Sequence, residues 1–129
     1  MAVMLEGRHI LMVDDDMRNV YSLSAALEDV GVKITTASNG KEALDWLDKD
    51  SSIELVLMDI MMPVMDGYEA ITRIRAQNKY AKLPIIALTA KAMKDDQSRC
   101  MEVGANDYFP KPIDVPKLKS VMKVWLGKQ

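Results

Sequence analysis

Three short apolar runs, Ile10-Leu11-Met12-Val13, Leu55-Val56-Leu57-Met58 and Ile85-Ile86-Ala87-Leu88, constrain this chain more than any other feature. Each has the length of a strand, shows no alternation and stops abruptly at a polar residue. A strand that is apolar on both faces must be covered on both faces, which is the situation of a central strand in a parallel sheet. Two weaker segments suit the edges. Val32-Lys33-Ile34-Thr35 alternates, and Asp107-Tyr108-Phe109 runs into Pro110, which has no N–H to donate to a ladder.

Between these runs the hydrophobic period becomes helical. Val20, Leu23, Leu27 and Val30 recur at three- and four-residue steps and are followed by Gly31, a stop signal. Asn39 with Glu42, and Asp66 with Glu69, each pair a cap residue with an acid three positions on. Gly104 closes a segment carrying Cys100, Met101 and Val103. Leu118, Val121, Met122 and Trp125 form a last stripe, with Asp114 placed to cap it and Gly127 to end it. Strict alternation of strand and helix predicts an α/β fold: a flavodoxin-like, doubly wound, five-stranded parallel sheet in the order 2-1-3-4-5 with five helices. No linker or repeat interrupts residues 1–129, so one domain is expected.

Composition narrows the class. With 49% apolar and 28% charged residues the chain is globular rather than disordered. A net charge of −2 gives no reason to expect direct nucleic-acid or membrane-surface binding. No apolar run approaches the ~20 residues of a spanning helix. Met1-Ala2-Val3-Met4-Leu5 meets Glu6 too soon for a signal peptide. The single Cys100 allows no internal disulfide, which favours a reducing, cytoplasmic setting.

In a parallel sheet all carboxyl ends share one edge, and ligands bind there at the switch point, here between strands one and three. That edge collects Asp14 and Asp15 after strand one, Asp59 after strand three, Thr89 after strand four and Lys111 after strand five. Three neighbouring carboxylates raise one another's pKa unless a cation is present. Mg2+ is the natural cation, since it takes one or two carboxylates together with waters and phosphate oxygens. Lys111 and Thr89 then supply a positive charge and a hydroxyl donor for an anion. Asp16 reads as a first-turn acid favoured by the helix dipole. His9 lies at the opposite end of the sheet and reads as a surface or strand-entry residue. Cys100 and most of the eleven methionines read as core filler, and Lys117, Lys119, Lys123 and Lys128 as the solvated face of the last helix.

The segments ILMVDDD (10–16), DIMMPVMDG (59–67), ALTA (87–90) and GANDYFPKP (104–112) resemble the receiver domain of two-component response regulators, in order and spacing over nearly the whole chain. The resemblance implies that Asp59 accepts a phosphoryl group from the phosphohistidine of a sensor histidine kinase or a histidine phosphotransfer protein. It implies Asp14 and Asp15 as the acidic pair serving Mg2+, and the backbone carbonyl of Met61 as a further metal ligand. Thr89 and Lys111 would bind the phosphoryl group, and Tyr108 would be an aromatic switch responding to Thr89. The face made by the fourth helix, fifth strand and fifth helix would pass the signal to a downstream output domain. A cis Lys111–Pro112 bond is also implied. Such a chain is a phosphoacceptor that catalyses only its own phosphorylation and dephosphorylation. Met61 and Lys91, two positions after Asp59 and Thr89, are expected to flank the approach of a hydrolysing water. The finer pattern Asp15-x-x-x-Asn19, with LTAKAM at 88–93, is similar to receivers of hybrid sensor histidine kinases.

Two other readings exist. Asp14-Asp15-Asp16 contains an Asp-x-Asp that resembles the nucleophile motif of haloacid-dehalogenase-type phosphatases, with Asp14 as nucleophile and Asp16 as acid, although no late Gly-Asp-x-x-x-Asp follows. The same fold could also act as a binding module that never takes phosphate.

Overall fold

The computed structural model describes residues 4–90 and 94–127. The strands are β1 (His9–Val13), β2 (Lys33–Ala37), β3 (Leu55–Asp59), β4 (Ile85–Thr89) and β5 (Asp107–Pro110). The helices are α1 (Met17–Glu28), α2 (Gly40–Lys49), α3 (Gly67–Arg75), α4 (Lys94–Glu102) and α5 (Val115–Leu126), with a short 3-10 turn at Asn78–Tyr80. All strand pairs are parallel and the order is β2-β1-β3-β4-β5, as the unalternated runs require.

The two-residue period of a strand divides the core. Ile10 and Met12 of β1, Leu55 and Leu57 of β3, and Ile86 and Leu88 of β4 point to one face. There they meet Val20, Leu23 and Leu27 of α1 and Leu118, Met122 and Leu126 of α5. Leu11, Val13, Val56, Met58, Ile85 and Ala87 point to the other face, against α2, α3 and Cys100 of α4. Both layers exclude water, so β1, β3 and β4 are buried throughout.

Caps start the helices where the acids and amides indicated. Asn39 accepts from the Glu42 N–H at 3.0 Å, Asp66 from the Glu69 N–H at 2.9 Å and Asp114 from the Lys117 N–H at 3.2 Å. Asp16 is a correction. It is not a first-turn acid but the cap of α1, its carboxylate accepting from the Arg18 N–H at 3.0 Å. Helix α1 ends at Glu28 rather than at Val30, and Gly31, at φ +88°, turns the chain into β2. The 3-10 turn carries no apolar period that would have announced it.

Three other expectations hold in part. His9 is the first residue of β1, so the strand-entry reading holds, but it is buried rather than on the surface. Its Nδ1 lies 2.7 Å from the Ser52 hydroxyl and its Nε2 2.6 Å from the Thr35 hydroxyl, so strand pairing and hydroxyls from two other segments enclose it. Met12, Met58, Met65 and Met122 are buried, whereas Met4, Met17, Met61 and Met101 are exposed, because they sit on loops and outward helix faces. Lys117 and Lys123 are exposed and Lys119 is half-buried. Lys128, the residues 91–93 of the hybrid-type pattern and residues 1–3 of the N-terminal segment lie outside the described residues. Among those described, no helix is long and apolar enough to cross a membrane.

Arg75 ties the end of α3 to the entry of β5. Its Nε donates to the Gly104 carbonyl at 2.8 Å, Nη1 to the Tyr80 carbonyl at 2.7 Å and Nη2 to Asn106 Oδ1 at 2.6 Å. The same Asn106 oxygen accepts the Ile85 N–H at 2.8 Å. Among the described residues no carboxylate pairs with this half-buried guanidinium, and burial pulls its pKa down. Arg75→Ala removes three hydrogen bonds that join α3 to the entry of β5 and to the 3-10 turn in a partly buried setting, so unfolding in urea should show a loss of about 2–4 kcal/mol.

Candidate functional site

Because the strands run parallel, their carboxyl ends converge on one edge. Asp14 follows β1 and Asp59 ends β3, and each is only 3% exposed, whereas Asp15 faces solvent. One oxygen from each of the three carboxylates lies within 4.8 Å of the others. Lys111, in the loop after β5, reaches back across the sheet. Its Nζ is 3.0 Å from Asp14 Oδ2 and 3.1 Å from Asp59 Oδ1. Asp14 Oδ1 accepts the Asp16 N–H at 2.9 Å, which fixes the loop between β1 and α1.

The charge balance makes the site receptive to a cation. One ammonium faces three carboxylates. Burial, and then the neighbouring Asp14, push the Asp59 carboxyl up to about 6, against the opposing pull of Lys111 and of the Met61 N–H. Burial alone would lower the Lys111 pKa, but the hydrogen bond to Asp14 and the charge of Asp59 outweigh it and raise it. The donor set is all oxygen, with two ligands fixed and buried and one open to solvent. That chemistry suits a hard divalent cation and not a thiolate- or imidazole-seeking metal.

Thr89 ends β4 one residue beyond the Asp59–Leu88 pair and is buried; the Lys111 N–H donates to its carbonyl at 2.8 Å. Tyr108 stands opposite Ala87 on β5, half-buried against the core layer of α2, α3 and α4. The Lys111–Pro112 bond is cis. Met61 borders the acid cluster with an exposed side chain, while Lys91 lies outside the described residues. A cleft of about 420 Å3 opens beside Asp14 and Lys111, walled by Asn19 and Leu23 of α1 and by Ile113.

Two features were not anticipated from sequence. The Met61 backbone N–H stands where it favours the ionised Asp59 carboxylate. Gly67 packs directly under the acceptor strand, where an added Cβ would stand 2.4 Å from the Asp59 carbonyl oxygen. In the sequence, Asp66 pairs with Glu69 as a helix start and Gly67 reads only as the last residue of the 59–67 segment, although a glycine just after a cap is the available signal of close approach.

Asp16 faces away from the acid cluster to cap α1, so the phosphatase reading loses its acid.

Comparison with known proteins gives the same answer as the geometry. Residues 10–123 match the model of the response regulator receiver domain. The chain is 36% identical over 121 residues to the sensor protein GacS of Pseudomonas syringae pv. syringae, covering 92% of this chain and 13% of that protein. It is 35% identical over 127 residues to the response regulator Rre1 of Synechocystis sp., covering 98% of this chain and 54% of that one. Among solved structures, the receiver domain of sensor histidine kinase PA1611 of Pseudomonas aeruginosa PAO1, with a magnesium ion coordinated in its active site cleft, is 36% identical. It superposes with a TM-score of 0.87 over 94% of this chain and 98% of that one. The chain thus spans only part of the length of these curated relatives. These findings support the receiver reading and neither of its alternatives. With the sheet order, the acid cluster and the family match in agreement, this chain belongs to the response regulator receiver domain family of two-component systems.

Proposed function

We propose that residues 1–129 form a single receiver domain in which Asp59 is the phosphoacceptor of a phosphorelay. The observation that carries this reading is the Asp59 carboxylate itself. It is buried at the end of a central strand, grouped with two further acids and ion-paired to Lys111. The donor is the phosphohistidine of a sensor histidine kinase or a histidine phosphotransfer protein. An Asp59 oxygen attacks phosphorus, the new O–P bond forms as the P–N bond breaks, and the electron pair stays on the imidazole nitrogen, which takes up a proton. Asp14, Asp15, Asp59 and the Met61 backbone carbonyl would hold Mg2+. When bound, that ion supplies charge that lowers the repulsion between acceptor carboxylate and phosphoryl oxygens. The magnesium in the PA1611 cleft supports this choice of ion. Lys111 holds one phosphoryl oxygen and the Thr89 hydroxyl another. As Thr89 is drawn in, Tyr108 turns, and the α4–β5–α5 face presents a changed surface to an output domain.

Intact-mass measurement tests this. Incubation with acetyl phosphate and Mg2+ should add the mass of one phosphoryl group to the wild-type chain, and Asp59→Asn should abolish the gain. A gain that survives in Asp59→Asn, or that never forms in wild type, overturns the assignment.

Met61 bears on how long the signal lasts. An apolar side chain cannot orient a water in line with the Asp59–phosphorus bond. Met61→Asn should therefore speed phosphate release by about 3–10-fold, the effect of one water-orienting hydrogen bond of about 1 kcal/mol. Release from purified phosphoprotein in Mg2+ is the measurement, and an equal or slower rate in the variant contradicts the idea.

A further inference from the structure

Val64 is, among the described residues, the one non-glycine with a positive φ, 67°. The Met65 N–H donates to the Pro63 carbonyl at 2.7 Å, closing a three-residue turn with Val64 at its centre. A turn of this kind, with a left-handed central residue, is rare and strained, and a β-branched side chain is among the worst suited to it. Glycine or asparagine would adopt the same backbone more easily. The surroundings keep the turn in place: the Gly40 N–H donates to the Met65 carbonyl at 3.1 Å, and the Gly67 N–H to the Ile60 carbonyl at 2.9 Å. Yet the Val64 side chain is 79% exposed, so burial within the chain does not offset the strain.

Strain retained beside a functional group without an internal return points to use outside the chain. Resting on the phosphoacceptor reading above, we infer that Val64 is a specificity-determining contact for the protein phosphodonor, meeting an apolar patch next to the donor histidine. The geometry of transfer selects this occupant. Asp59 is 3% exposed, and it lies at the base of the loop that carries Met61 (54% exposed) and Val64. A folded donor that brings phosphorus within bonding distance of Asp59 must cover that rim. A small donor such as acetyl phosphate reaches Asp59 without touching it.

The experiment compares Val64→Gly, Val64→Asn and Val64→Ile with wild type, using two phosphate sources. One is acetyl phosphate with Mg2+. The other is a phosphorylated histidine-containing donor protein, chosen only for its ability to label the wild-type chain at Asp59. Acetyl phosphate labelling should be unchanged in all three variants. Transfer from the protein donor should lose about tenfold in kcat/KM, mostly through KM, in Val64→Gly and Val64→Asn, as expected for losing one buried valine side chain. Val64→Ile, still apolar and β-branched, should keep the wild-type rate. Wild-type transfer to Val64→Gly and Val64→Asn overturns the inference, as does an equal slowing with both phosphate sources, which would mean altered loop geometry. Failure of every phosphorylated donor protein to label the wild type while acetyl phosphate succeeds also overturns it. Failure of acetyl phosphate to label wild-type Asp59 counts instead against the phosphoacceptor reading.

Discussion

Gly67→Ala should remove about 3 kcal/mol or more of folding stability and depress labelling of Asp59 by acetyl phosphate. The added Cβ would lie 2.4 Å from the Asp59 carbonyl oxygen, 2.7 Å from the Ile60 Cα and 2.8 Å from the Ile60 Cδ1. Two of those atoms are backbone. They cannot retreat without breaking the Gly67 N–H bond to the Ile60 carbonyl at 2.9 Å or the Ile60 N–H bond to the Leu88 carbonyl at 3.0 Å. Gly67 has no positive φ, so the whole penalty comes from proximity. Helix propensity acts the other way, since alanine is favoured over glycine by about 1 kcal/mol within a helix. The sign of the result is therefore decisive. Urea unfolding that shows a more stable Gly67→Ala protein would mean that α3 has room to move off β3.

Asp59→Asn should raise stability at neutral pH and leave it unchanged well below the ordinary carboxyl value of 3.8, in the absence of divalent cations. The folded carboxyl titrates at about 6 and the unfolded one near its ordinary 3.8. Below the lower value both states hold the proton and no penalty exists. Between the two values the unfolded carboxyl ionises while the folded one keeps its proton, so stability falls from about pH 4 to about pH 6 and stays at the lower level above that. The difference amounts to about 2–3 kcal/mol. The amide is nearly isosteric and carries no charge. For a chain of this length that corresponds to a rise in Tm of about 5–10 °C. Added Mg2+ should raise the Tm of wild type more than that of Asp59→Asn. A variant less stable than wild type at pH 7.5 would show that the Lys111 ion pair outweighs the burial of charge.

The fold was legible because its central strands carry an unambiguous signal. Ile10–Val13, Leu55–Met58 and Ile85–Leu88 are apolar at every position, and only a strand packed on both faces accepts that pattern. Much of the candidate site followed from the same step. Asp14, Asp15, Asp59 and Lys111 each come just after or at the end of a strand, and parallel topology leaves them no other place to gather. Local chemistry at single positions was read less well. Asp16 follows two acids of the cluster in an unbroken run, and nothing in the run tells which carboxylate turns outward to cap α1. His9 reads as a surface or strand-entry residue; it does open β1, but its burial depends on Thr35 and Ser52, which are distant in sequence.

Hydrophobic period, cap residues and the polar residues that end each run therefore determined the sheet order and the identity of the converging groups. These are local properties, written in consecutive residues and unchanged by what packs later. Tertiary structure alone decided how deeply Asp59 is buried and which two carboxylates Lys111 bridges. It alone showed that Gly67 must lack a side chain and that Val64 is held in a left-handed turn with its side chain in solvent. Each of these depends on distances between segments that only the packed sheet and helices bring together, and a pKa or a steric clash is a function of those distances.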